Sequence, residues 1–464
     1  MSTRPPEPPA PKLPVLSERE TFRVETWGCQ MNVLDGQRMA GQLESLGFAR
    51  ASEGHGEAAR VVLLNTCAVR EKAESKVFSE LGVLARRKQE DPELIVGVTG
   101  CVAQVSGEEI LERAPFVDFV AGTGQVERIG ELVAAARRER RQALALELPT
   151  EDPVYQFREI SRESAFQAYV TVIEGCDQYC TFCIVPFTRG RERSRRASEI
   201  AAEVEALCRD GYTEVTLLGQ TVNAYRDPED GGGLGGLLRR IARTEGLRRL
   251  RFITSHPRLV DDELIGALAE VPSLSGYLHL PAQSGSDRVL NRMKRRYTSS
   301  DYREIVARIR ARCPEIAISS DFIVGFPGET EADFQATLDL VTDIRFANLY
   351  GFRYSPRPGT ASARWGRDSE IPQDVAAERL ARLLDLQSGI QRSVNASLVG
   401  RTFEVLIEGD SRRGQPTGRT SCNRIVHVDG SGPIAPGTYV DVVVAKGLPN
   451  SLLGRIASGG GQSW

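Results

Sequence analysis

At 464 residues the chain is too long for one ordinary core, so two or three domains are expected. Its 59 basic and 62 acidic residues leave a net charge of −3, so no global positive field marks a nucleic-acid binder and any RNA contact must come from local patches. Apolar runs such as Val61–Leu64 and Leu94–Val98 fall far short of the roughly 20 residues a membrane span needs. The proline-rich residues 1–19 lack an apolar signal core and read as a disordered tail, so a cytosolic protein with no membrane partner is expected. Nine cysteines, an odd number, in a chain of this size do not suggest a disulfide framework; metal binding, catalysis or plain burial remain.

In chain order, Phe22–Thr26, Val61–Leu64, Leu94–Val98 and Phe116–Val120 read as strands, with a helix at Glu71–Arg87. That alternation predicts a parallel α/β domain over residues 20–138. The charged helix Glu131–Arg141 and the polar stretch Glu147–Ser161 read as a linker. Six further candidate strands follow at Ala168–Ile173, Glu214–Leu218, Arg249–Thr254, Gly276–Leu280, Ile316–Val324 and Asn348–Tyr354, separated by helices such as Ala197–Arg209 and Ser300–Arg312. Six β/α units over 162–396 fit a partial barrel with its chemistry on the loops at the strand carboxyl ends. A helical connector, Pro372–Ala396, leads to a short all-β segment over 397–459, with runs Thr402–Ile407, Ile425–Val428 and Tyr439–Val444, and the chain closes on SGGGQSW, read as flexible.

The strongest local signal is EGCDQYCTFC, directly after the strand Ala168–Ile173, which sets Cys176, Cys180 and Cys183 in C-x3-C-x2-C spacing on one loop. Thiolates are soft ligands that suit zinc or the iron of iron–sulfur clusters. Structural zinc takes four protein ligands, and here the local set stops at three. An incomplete zinc site or buried loop cysteines stay open on spacing alone. A second set is dispersed: Cys29, Cys67 and Cys101 each follow a predicted strand by a few residues. The carboxyl ends of parallel strands share one edge, so these loops should converge; singly, each is better explained as a small buried hydrophobe, and it is the three in identical placement that point to a site. Cys208 and Cys313 lie in helical segments and read as core, and Cys422 receives no role.

With TWGCQMN, NTCAVRE and TGC upstream, the cluster-like loop after the first barrel strand, and a small β segment behind, the chain resembles the radical S-adenosylmethionine methylthiotransferases. Further matching stretches are VPFTRGRERSR, LLGQTVNAY, TSHP, HLPAQSGSDRVLNRMKRRYT, DFIVGFPGET and GRTSCNRIV, so the likeness spans about residues 20–458. Trp27, Gln30-Met31-Asn32 and Ala68-Val69-Arg70 follow the subgroup that acts on N6-dimethylallyladenosine; His427 and Thr221 depart from it at positions read as peripheral. The resemblance implies an N-terminal methylthiotransferase domain, a central radical SAM core and a C-terminal TRAM RNA-binding barrel. It implies methylthiolation of C2 of N6-dimethylallyladenosine at position 37 of tRNA. It implies two [4Fe-4S] clusters, one on Cys176, Cys180 and Cys183 that cleaves S-adenosylmethionine, the other on Cys29, Cys67 and Cys101 that carries the sulfur. The partners would be the tRNA anticodon stem-loop, a sulfur source and an electron donor such as flavodoxin or ferredoxin. The adenine C2–H bond is neither acidic nor hydridic, which makes radical chemistry and exact positioning, rather than acid–base residues, the requirement.

By the same resemblance, Phe182 would lie against the S-adenosylmethionine adenine, and Gln220, Ser255, Gln283 and Ser284, just past barrel strands, would reach its polar parts; each of these is equally an ordinary core, cap or turn residue. The run Thr188–Arg196 carries five arginines against Glu192, and Arg189, Arg191 and Arg193 are candidate RNA contacts. In the TRAM-like segment seven basic residues against five acidic ones give +2, and Arg419, Asn423 and Arg424 are the candidate contacts. Two other readings stand beside this one: the sister activity on threonylcarbamoyladenosine, and a zinc-containing RNA-binding protein without catalysis.

Overall fold

Val61–Thr66 has no exposed residue at any of its six positions, a pattern that only a strand covered on both faces sustains. It is the centre of a parallel sheet. The computed structural model describes residues 20–51, 59–68, 71–149, 160–366, 369–430 and 432–457, which fall into two compact units, one ending at residue 163 and the other beginning at 164. The two tails and residues 150–159 of the predicted linker lie outside the described residues.

The first unit runs β1 (Thr21–Trp27), α1 (Gln30–Ser45), β2 (Ala49–Arg50), β3 (Val61–Thr66), α2 (Glu71–Glu90), β4 (Ile95–Thr99), α3 (Gly100–Arg113), β5 (Phe119–Ala121), α4 (Ile129–Glu139) and β6 (Ala143–Ala145). Its six parallel strands lie in the order β2-β1-β3-β4-β5-β6. The order reverses at β1 and β3, and open α/β sheets bind their ligands at such a switch point, outside the strand carboxyl ends. The helix read as linker is α4, which buries Ile129, Leu132, Val133 and Ala136 in this core. Its charges occupy the outer face, which is why composition alone misplaced it.

The second unit opens with β7 (Gln167–Thr171), β8 (Ile173–Glu174), α5 (Val185–Arg189), β9 (Arg193–Ser194), α6 (Ala197–Arg209), β10 (Glu214–Leu218), α7 (Leu234–Ile241), β11 (Arg249–Phe252) and α8 (Asp262–Glu270). It continues with β12 (Tyr277–His279), α9 (Asp287–Arg292), α10 (Ser299–Arg312), β13 (Ala317–Val324), α11 (Glu331–Ile344), β14 (Asn348–Arg353) and α12 (Gln373–Ala396). Strands β7, β10 and β11 form one parallel sheet and β12, β13 and β14 another, joined by a bridge between Leu250 and Leu274. The result is an arc of six parallel strands, with one large core packed between strands and helices. Helices α10 and α11 each start at a threonine whose hydroxyl takes the N3 amide while an aspartate returns the bond, Thr298 with Asp301 and Thr330 with Asp333.

The chain ends in β15 (Thr402–Asp410), β16 (Pro416–Thr420), β17 (Ile425–Val428), β18 (Tyr439–Gly447) and β19 (Leu452–Ile456), a closed barrel in the order β15-β16-β17-β19-β18. It packs against the amino-terminal ends of the six-strand arc: Arg249 and Arg251 of β11 donate to the carbonyls of Arg419 (3.1 Å) and Thr420 (2.9 Å), and Tyr439 lies beneath the Arg248 guanidinium at 3.9 Å. Glu214 neutralises the buried pair of arginines at 3.2 and 3.1 Å. Among the described residues no helix is long and apolar enough to cross a membrane.

Candidate metal centres

The carboxyl end of the first barrel strand carries the three-thiol loop. The ribbon of β8 and β9, pairing Glu174 with Arg193, folds the chain back so that residues 190–192 lie along residues 175–177. Gly175, at φ +79°, is held there because an added Cβ would stand 1.9 Å from the Arg191 carbonyl oxygen. Its amide donates to Gln220 Oε1 at 2.5 Å, the Cys176 amide donates to the Gly190 carbonyl at 3.2 Å, and the Asp177 amide to Glu192 Oε1 at 3.0 Å. On the other side Thr181 is pinned to the end of α9 and the residue after it, its amide on the Met293 carbonyl and its hydroxyl on that of Arg292.

Cys176 and Cys180 are each 8 % exposed. Cys176 Sγ lies 3.3 Å from Thr221 Oγ1, and Arg295 Nη1 donates to Cys180 Sγ at 3.5 Å. Desolvation pushes the Cys176 thiol up, and desolvation together with the neighbouring Cys180 pushes Cys183 up to about 12; the Cys183 residue keeps some surface, but its sulfur is desolvated. Cys176 and Cys183, which resist ionisation here, would become thiolates if iron took the place of their protons. Arg295 is 6 % exposed and has no carboxylate partner among the described residues; its buried charge is aimed at the Cys180 sulfur instead. Burial and then the Arg295 charge hold the His256 imidazole at about 2, so it stays neutral beside this guanidinium.

In the first unit the three dispersed cysteines come to one edge. Trp27 of β1 stands opposite Thr66 of β3, Asn65 opposite Thr99 of β4, and Thr66 bridges Gly100. Cys29 is the N-cap of α1, Cys67 donates its amide to the Trp27 carbonyl at 3.0 Å, and Cys101 is the second residue of α3. Cys67 and Cys101 are 3 % and 6 % exposed. The edge is fastened by two asparagines. Asn32 accepts from Cys29 Sγ at 3.3 Å and donates to Asn65 Oδ1 and the Thr66 carbonyl, and Asn65 donates to the Asn32 carbonyl at 2.7 Å. Gly100, at φ +87°, lets the third loop close on this network: a Cβ there would lie 2.6 Å from both Asn65 Oδ1 and the Thr66 carbonyl oxygen. Two of these thiols thus stand at helix amino termini, the ends that carry a partial positive charge.

No three His, Cys, Asp or Glu side chains among the described residues converge tightly enough to hold one metal ion between them. A four-iron cluster asks for something else, since each thiolate binds a different iron and the sulfurs stand around a cage. Both donor sets fit that demand: three thiols on one loop in the second unit and three on neighbouring loops in the first, none of them paired in a disulfide.

Of the other predicted residues, the Phe182 ring packs edge-on to Phe326 at 6.4 Å in a small cluster with Met293. Ser255 is 3 % exposed, and its hydroxyl has no hydrogen-bond partner among the described residues. Gln283 turns at φ +69° and exchanges backbone bonds with Asp321 and Ile323. Ser284 is buried on Thr337 at 3.3 Å and accepts the Ser286 amide, which is scaffold geometry. The arginine run divides: Arg189 is 6 % exposed, Arg193 pairs with Glu174 at 3.2 Å and Arg195 with Glu203 at 2.8 Å, all drawn inward, whereas the Arg191 side chain is 82 % exposed. In the terminal barrel Arg419 pairs with Glu408 at 3.2 Å, Asn423 turns at φ +64°, and Arg424 donates to Asn395 Oδ1 at 2.8 Å. Both barrel arginines serve internal bonds. Thr221, read as peripheral, is 4 % exposed against the Cys176 sulfur. Arg295 was missed because Lys294, Arg295 and Arg296 are three cations in a row, and no spacing rule singles out the buried one.

Residues 21–122 match the family described as uncharacterized protein family UPF0004, residues 170–341 the radical SAM superfamily, and residues 396–457 the TRAM domain. The fold resembles a solved radical S-adenosylmethionine methyltransferase, TsrM from Kitasatospora setae, described with cobalamin and a [4Fe-4S] cluster bound, at TM-score 0.52 and 16 % identity over 74 % of each chain. An open six-strand barrel with three thiols on its first loop, inside these matches, defines a radical SAM enzyme, a class that uses S-adenosylmethionine and a [4Fe-4S] cluster. The chain is 45 % identical to a tRNA-2-methylthio-N(6)-dimethylallyladenosine synthase of Maricaulis maris, over 94 % of this chain and 97 % of that one, and 46 % identical to its namesake in Acidithiobacillus ferrooxidans, with the same shares covered. It belongs to the tRNA-2-methylthio-N(6)-dimethylallyladenosine synthase family.

Proposed function

We propose that this chain inserts a methylthio group at C2 of N6-dimethylallyladenosine in position 37 of tRNA, using two [4Fe-4S] clusters, one on each thiol trio. The observation that carries this reading is the pair of trios, each at carboxyl ends of parallel strands, in a chain that follows its named relatives along nearly their whole length. The sister activity on threonylcarbamoyladenosine finds no support among these relatives, and a zinc protein without catalysis does not fit the family.

Cys176, Cys180 and Cys183 would hold the first cluster and Cys29, Cys67 and Cys101 the second. When bound, these groups and S-adenosylmethionine supply the electron, the adenosyl radical, the sulfur and the methyl group. The chain's own residues orient and seal. Gln220 fixes the entry to the thiol loop through the Gly175 amide, Thr221 and Arg295 fix two of its sulfurs, and the unpartnered Ser255 hydroxyl offers S-adenosylmethionine a hydrogen bond. Arg191 offers the RNA backbone an exposed cation. An external electron donor such as flavodoxin or ferredoxin, a sulfur source and a cytosolic setting complete the reading.

Mass spectrometry of tRNA nucleosides from a strain lacking this gene tests the substrate. Loss of the methylthio group from dimethylallyladenosine is expected, with restoration by the wild-type chain. Loss from threonylcarbamoyladenosine instead would reject the assignment.

A further inference from the structure

The buried guanidinium of Arg295 has all three of its nitrogens assigned. Nε donates to the Tyr297 hydroxyl at 3.1 Å, Nη2 to the Pro281 carbonyl at 2.8 Å, and Nη1 to Cys180 Sγ at 3.5 Å. Tyr297 is itself fixed, its hydroxyl donating to the Ala282 carbonyl at 2.7 Å. The group therefore cannot swing away from the sulfur without breaking two hydrogen bonds to neutral oxygen acceptors in a region closed to water. The neighbouring cations, Lys294 and Arg296, turn outward at φ +57° and +59°. A protein rarely buries a full positive charge with no carboxylate beside it; among the described residues, the ligand sulfur that Arg295 reaches is that of Cys180.

We propose that Arg295 is a positioning residue for the barrel-loop cluster, holding Cys180 in place and making the bound cluster easier to reduce. The physical basis is general. A cluster gains negative charge on reduction, and a fixed N–H donor with a full positive charge on a ligand sulfur favours the more negative state. Thr221, which also touches a loop thiol, carries no charge, whereas Arg295 carries a full one. The inference rests on the reading that Cys176, Cys180 and Cys183 hold a cluster.

The test uses the full chain with Cys29, Cys67 and Cys101 replaced by alanine, so that one cluster reports, reconstituted without oxygen and titrated under electron paramagnetic resonance. In that background Arg295→Gln is expected to load iron and to show a reduced-to-oxidised ratio lower by about tenfold at a fixed potential, the loss expected for one charged hydrogen bond. Arg295→Lys keeps the charge but not the rigid fork, and is expected to fall between the two. An unchanged titration in loaded Arg295→Gln overturns the proposal. If that variant fails to load, Arg295→Lys decides: a lowered ratio supports the proposal and an unchanged one overturns it. Failure of both to load assigns Arg295 to the fold and likewise overturns it. A parent chain that takes up no iron instead removes the cluster reading, and this proposal with it.

Discussion

In Cys176→Ala, S-adenosylmethionine cleavage is expected to fall to background, read as the absence of 5′-deoxyadenosine under a strong reductant. The loop supplies three thiols, and the next cysteine along the chain, Cys208, lies near the end of α6, so no spare ligand is at hand. The substitution is small. Cys176 sits at 8 % exposure with its amide on Gly190, a bond that alanine keeps, so the loop should survive while the cluster does not. Thr221 would lose its sulfur partner, a cost of about 1 kcal/mol to stability that cannot account for complete loss of activity. Substantial 5′-deoxyadenosine from this variant would contradict the assignment of the loop.

The second large effect separates the two thiol sites. Cys67→Ala is expected to end methylthio insertion while 5′-deoxyadenosine continues to form. Cys67 is buried at the edge where β1, β3 and β4 end, and its amide bond to Trp27 survives the change. The loss of one buried sulfur would cost about 1 kcal/mol of packing, too little to unfold the unit. Its barrel loop is untouched. Nucleoside analysis of the same reactions gives the readout: unmodified dimethylallyladenosine beside released 5′-deoxyadenosine is the predicted pair. Methylthiolation at the wild-type level would show that these cysteines are not a sulfur-carrying site.

Much of this was visible in the sequence because burial writes itself into short runs. Glu214–Leu218 and Ile425–Val428 are strands with the predicted bounds, and Ala197–Arg209 is the predicted helix, since β-branched runs and helical periodicity leave little choice. Pro416–Thr420 and Leu452–Ile456 were not anticipated. Neither is a strand by propensity, PTGRT least of all, and only closure of the small barrel pairs them. The cysteines were legible because their spacing relative to strands is itself the signal. The arginine run was not, because five arginines in nine residues do not reveal that Arg195 is bound to Glu203 in the interior while Arg191 faces water. Thr221 and Arg295 touch the thiols from loops 45 and 115 residues away, and no local pattern reports contacts of that separation.

The proposed chemistry requires each group of three thiols to carry its own cage of iron. Iron and sulfide measured on the anaerobic wild-type protein, beside the Cys29/Cys67/Cys101 and the Cys176/Cys180/Cys183 triple-alanine variants, tests this most directly. About eight of each per wild-type chain and about four in either variant is the predicted result. One or two zinc ions with no sulfide, or a triple variant that keeps the full iron content, would contradict it.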